Sequence, residues 1–199
     1  MTQATNKPLP AWLSITADGA VVTLTRPSEA NGVNVETLTM HAPSVRAVRA
    51  ADHASNGNDE QRELMLFAGL TEVGLKDLEG LKLTDYRRVQ TAYSTLAPDT
   101  DYSTSKPAWL SVTTDQALVT FSSPSKINDV LVDKLALRSP TVRDVREANR
   151  EAGGDAEQRE LVLFSALSGA PVADLENLKL VDFSRLQAGY FRMDNDDGL

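Results

Sequence analysis

The chain has 199 residues, of which 28 are acidic and 20 basic, for a net charge of −8. At 41% hydrophobic and 24% charged it has the composition of an ordinary globular protein, which excludes wholesale disorder. A negative balance argues against a nucleic-acid partner, whose phosphates are held by Lys and Arg displacing counterions, and the absence of cysteine excludes disulfides, thiolate metal sites and cysteine nucleophiles.

The N-terminal segment MTQATNKPLP lacks the charged-then-apolar pattern of a signal peptide. AWLSITAD then follows at Ala11–Asp18 and returns as AWLSVTTD at Ala108–Asp115. The offset of 97 holds without a gap to the end of both copies. Of 86 positions compared between Ala11–Leu96 and Ala108–Met193, 40 are identical. This is a tandem duplication. A unit of that length can hold its own core, unlike the short units of solenoids. The expected organisation is a first unit over residues 1–97, a polar, proline-containing linker over 98–107, and a second unit over 108–199 with a short acidic tail.

Within each unit the elements read in order. Trp12 to Ala17 is strand-like, Asp18-Gly19 is a hairpin turn, and Ala20–Arg26 alternates as a second strand that Pro27 and Pro124 are expected to end. A third strand covers Val33–Ala42 after Asn31-Gly32. Its apolar parity changes between Val35 and Leu38, which predicts a bulge or bend near Glu36-Thr37, repeated at Asp133-Lys134. Pro43-Ser44 and Pro140-Thr141 start a first helix, and Thr141 with Asp144 has the form of a capping box. Asn58–Leu70 is a second helix, apolar over so much of its circumference that it should be the central buried element. Its run Leu64–Leu70 is also the longest apolar stretch, far short of the ~20 residues that span a bilayer, so no membrane association is expected. A short turn carries Leu75, Leu78 and Leu81. Thr84 is expected to cap a last helix, with Tyr86, Val89, Tyr93 and Leu96 on one stripe and Phe183, Leu186, Tyr190 and Met193 as its copy. The fold class is α+β: two similar units, each a small antiparallel three-stranded sheet followed by three or four helices.

No constellation suggests catalysis, a cofactor or a metal. His41 and His53 become Arg138 and Arg150 in the second copy, so they read as surface residues. Gly-rich phosphate loops and nucleophile-elbow or zinc-helix motifs do not occur. The tail Asp194–Gly198 opens like a calcium loop but lacks the closing Glu. The polar residues shared by the copies are more informative. Arg46 and Arg49 recur as Arg143 and Arg146 on the first helix; Glu60–Glu63, including Gln61, recur at 157–160, including Gln158; Asp85, Arg88 and Gln90 recur as Asp182, Arg185 and Gln187. Two readings stand beside each other. The acids favour a helix N-terminus and the arginines bridge helices within each unit, or Arg46, Arg49, Gln61, Arg143, Arg146 and Gln158 mark a partner-binding face anchored by guanidinium groups.

The sequence of one unit, VTLTRP, a turn with Asn-Gly, VETLTMHAPSVRAV, EQRELMLFAGL and DLEGLKLTDYRRVQ, resembles the tail assembly chaperone family of Mu-like and P2-like phages. The resemblance covers most of the chain and rests on a pattern of apolar positions and prolines. Leu167-Ser168-Gly169-Ala170-Pro171 with Asp174-Leu175 keeps the family's Gly and Pro, whereas Leu70-Thr71-Glu72-Val73-Gly74 has neither at those places. The leading Trp strand and the duplication depart from the usual single-unit form. The resemblance implies a non-enzymatic chaperone that binds and solubilises the tape measure protein and promotes tail tube assembly, with the tail tube protein as a further partner. It also implies action in the host cytoplasm and absence from the mature virion. Duplication suits binding, because two linked copies hold a repetitive rod by avidity. The alternative is a structural tail or connector subunit with two pseudo-equivalent domains; an acidic nucleic-acid mimic would need its charge segregated on one face, and here acids and bases are interspersed.

Overall fold

A computed structural model describes residues 8–97 and 107–194. The expected linker, apart from Pro107, lies outside the described residues, as do the first seven residues and the tail beyond Asp194. The chain forms two similar α+β units.

The first unit begins with strands β1 (Leu13–Ile15), β2 (Gly19–Ala30) and β3 (Val33–His41), antiparallel in the order β1-β2-β3. The Thr16 N–H donates to the Gly19 carbonyl at 2.8 Å, closing the first turn. Asn31 and Gly32 turn the β2–β3 hairpin with φ of 52° and 79°, the left-handed pair that a two-residue hairpin loop requires. Helices α1 (Val45–Ser55), α2 (Asp59–Thr71), α3 (Leu75–Glu79) and α4 (Leu83–Leu96) follow. The second unit repeats the order with β4 (Leu110–Val112), β5 (Gln116–Ile127), β6 (Val130–Arg138), α5 (Val142–Ala152), α6 (Ala156–Ser168), α7 (Val172–Glu176) and α8 (Leu180–Asp194).

The central helix is the buried one, as its composition predicts. Phe67 and Phe164 are each 1% exposed. Phe67 packs between Tyr86 and Tyr93 with ring centroids 5.8 and 5.5 Å away; Phe164 packs between Phe183 and Tyr190 at 5.4 and 5.6 Å, the tilted geometry that aromatic quadrupoles favour. The stripe predicted on the last helix is therefore the wall against which the central phenylalanine sits. Ala20, Val22 and Met40 from the sheet complete that core in the first unit, as Ala117, Val119 and Leu137 do in the second, and all six are 0% exposed.

Three expectations are corrected. Pro27 and Pro124 do not end their strands, which run on to Ala30 and Ile127. Each proline lies where the ladder is interrupted, so its missing N–H costs no pairing. The irregularity is opposite the predicted bend, but the surplus residues are on the other strand. Thr23 pairs Thr37 and Ser28 pairs Val35, so Leu24–Pro27 face Glu36 alone; in the second unit Phe121–Pro124 face Asp133. Thr84 is not a cap either. Helix α4 starts at Leu83 without a side-chain cap, because its first turn is held by backbone bonds from Asp85 and Tyr86 to the Lys82 carbonyl, at 2.8 and 2.9 Å. The Thr141–Asp144 capping box is present in full.

Candidate partner-binding surface

The last helix takes up strand donors and acceptors of β2 and β5. Asp85, 0% exposed, accepts from the Thr25 N–H and from Thr25 Oγ1, both at 2.7 Å. Asp182, also 0% exposed, accepts from the Ser122 N–H at 2.5 Å and from its Oγ at 2.9 Å. A buried carboxylate is tolerated only when its oxygens are bonded in this way.

One turn further, Arg88 donates to the Thr23 carbonyl at 2.6 Å and lies over the Trp12 ring at 5.2 Å. Arg185 donates to the Thr120 carbonyl at 2.9 Å and lies over Trp109 at 5.3 Å. Gln90 and Tyr86 both donate to Glu63 Oε1 at 2.9 Å, and Gln187 donates to Glu160 at 2.7 Å. Burial and the Glu63 contact push the Tyr86 phenol well above its usual range. The shared residues Asp85, Arg88, Gln90 and Glu63 are thus an internal clasp joining the last helix to the sheet and to the central helix.

A second shared pair pins the hairpin turn. The Asn31 N–H donates to Asp77 and its Nδ2 to the Glu72 carbonyl, both at 2.7 Å; Asn128 makes the same contacts with Asp174 at 2.8 Å and Gly169 at 3.3 Å. Asn31 Oδ1 also accepts from the Gly74 N–H at 3.0 Å, a bond the second unit lacks because Pro171 stands there and has no N–H. Neither Thr25, Asn31 nor their copies stand out in the sequence as functional. The signal was the offset of 97, at which Asn31 recurs as Asn128 and Thr25 keeps a hydroxyl as Ser122.

Apart from these positions, the shared arginine pair lies on the first helices. Arg46 and Arg49 lie on α1, the former exposed and the latter half-buried. Arg143 and Arg146 lie exposed on α5, where Val142, Glu147 and Arg150 border the same shallow groove. Gln61 and Gln158 are placed elsewhere. Their backbone N–H groups donate to the caps Asn58 and Asp155, each at 3.0 Å, at the start of α2 and α6. Gln61 borders a separate recess of about 280 Å³ with Leu64, Leu75 and Glu79. The structure therefore groups Arg143 and Arg146 on α5, while Gln61 and Gln158 lie on α2 and α6. Arg150, read in the sequence as an ordinary surface position, completes a row with those two arginines.

The start of α5 is fixed electrostatically. Arg138 grips Asp144 through two bonds of 2.8 and 2.6 Å. That guanidinium, with the Thr141 hydroxyl and N–H, holds the Asp144 carboxyl well below the usual carboxylate range. The first unit has His41 and Ala47 at these places. Among the described residues no group of three or more His, Asp or Glu is placed to hold a metal ion, and no helix is long and apolar enough to cross a membrane.

The two units, each an antiparallel sheet clasped by its last helix, define a duplicated small α+β protein. A family described as phage tail assembly chaperone proteins, E, or 41 or 14, matches residues 21–98 and again 118–195. The chain belongs to this family and carries it twice. Both matches begin after the Trp strands β1 and β4, so the tryptophan that stacks on the clasp arginine lies outside the family pattern. No curated protein and no solved structure matches the chain.

Proposed function

We propose that this tail assembly chaperone acts without catalysis, binding the tape measure protein, keeping it soluble and promoting tail tube assembly around it. On this reading it works in the host cytoplasm with the tail tube protein as a further partner, and it is left out of the finished virion. The observation that carries the proposal is the double family match together with what each copy does with its shared polar residues. Those on the last helix serve the fold, while an arginine pair three residues apart recurs on the first helix of both units. Two linked binding units raise the effective concentration of the second contact, which suits a long repetitive partner. The proposed anchors are Arg46, Arg49, Arg143 and Arg146, with Gln61 and Gln158 as secondary contacts.

Co-expression with the tape measure protein tests this. The wild-type chain should hold that protein in solution; the folded quadruple variant with all four arginines changed to Glu should not, and a variant reversed in one unit should be intermediate. Full activity in the quadruple variant would remove this face from consideration.

A further inference from the structure

We propose that the outward face of α5 receives an acidic helical segment of the protein partner, a proposal that rests on the chaperone reading above and specifies its ligand. At 100° per residue Arg143, Arg146 and Arg150 fall within an arc of roughly 60°, and they span about 10 Å along the axis. All three are exposed, and none of their side chains has a hydrogen bond or ion pair among the described residues. Ala148, 1% exposed, and Val145 lie on the opposite side of the helix against the core. Val142, 77% exposed, adds an apolar contact at the head of the row. Three unpartnered guanidiniums on successive turns match the spacing at which a helix presents Asp or Glu at i, i+3 or i+4, and i+7.

The flank decides against a phosphate backbone. Glu147 and Glu151 run beside the arginine row, and the whole chain carries a charge of −8. A continuous polyanion would meet both. A partner helix instead can set acids against the arginines and bases against the glutamates, which also fixes its direction. In the first copy Arg46, Arg49 and His53 keep the row, but Ala50 and Ala54 replace the acidic flank. The charge-ordered ligand therefore belongs to the second copy.

The test uses the full chain and a fluorescent helical peptide bearing one row of Glu flanked by a row of Lys, read by anisotropy at low and high salt. Duplex DNA and a peptide with the rows exchanged serve as competing probes. The acidic peptide should bind with salt-dependent affinity. The triple variant R143E/R146E/R150E, shown folded by circular dichroism, should lose ~10-fold or more and should now prefer the exchanged peptide. Unchanged binding in the folded triple variant, or tighter binding of duplex DNA than of the peptide, would overturn the proposal. The same variants in tape measure co-expression separate the two claims. Solubilisation by wild type and triple variant alike defeats this face and leaves the chaperone reading intact, whereas peptide binding without any solubilisation by wild type defeats the reading and leaves the face.

Discussion

Asp85 and Asp182 each hold a strand N–H, of Thr25 and of Ser122, that lies two residues beyond the last bond to the first strand of its unit, Thr23 N–H to the Trp12 carbonyl or Thr120 N–H to the Trp109 carbonyl. Removing the carboxylate strands that donor in the core, so Asp85→Ala should cost about 3 kcal/mol, measured by urea denaturation. A loss under about 1 kcal/mol would mean that water or a neighbour replaces the carboxylate. Arg88 and Trp12 should couple by about 0.5–1 kcal/mol in a double-mutant cycle. That these positions matter was legible in their recurrence at a fixed offset. Their task was not, since the partner of Asp85 lies 60 residues earlier in the chain, and the apolar parity of β3 assigns the surplus residues of the nearby ladder irregularity to the wrong strand. Arg150 was missed for the opposite reason. Its exchange with His53 reads as free variation, and only the helix face aligns it with Arg143 and Arg146.

Elements were legible wherever apolar periodicity is strong. The central helix and the aromatic stripe of the last helix meet around Phe67 and Phe164 as their patterns require, and Phe67→Ala should cost about 3–5 kcal/mol by cavity formation. Ends of elements were less legible. A proline that falls at a bulge does not stop a strand, and a threonine one place inside a helix does not cap it. The end of α2 is instructive. Gly169 closes α6 in the left-handed region with φ of 73°, and Glu72, at 56°, closes α2 in the same way despite its side chain. Glu72→Gly should therefore stabilise the first unit by about 1 kcal/mol, seen as a higher melting temperature. The start of α5 makes a pH-dependent prediction. Because Asp144 titrates lower in the folded protein than in the unfolded chain, its contribution is present above the ordinary carboxylate range and is lost as pH falls through and below it. Asp144→Asn should flatten the acid limb of the second unit's stability curve; an unchanged slope would assign that limb to other carboxylates.

At the scale of the molecule the duplication and the family were both legible, the first in the ungapped repeat and the second in prolines and apolar positions that the family match now spans in each copy. The identity of the partner was not, because the arginines proposed as its anchors form no motif. Since each copy assembles its own core, residues 1–100 and 101–199 expressed apart should each unfold cooperatively; two unfolded fragments from a folded parent would mean a shared core. A chaperone must meet its partner before assembly and leave afterwards. Quantitative mass spectrometry of assembling tails and of purified finished particles tests that directly. The chain should be found in complexes with the tape measure protein and be absent from finished particles; stoichiometric recovery from those particles would defeat the chaperone reading and make the protein a structural subunit.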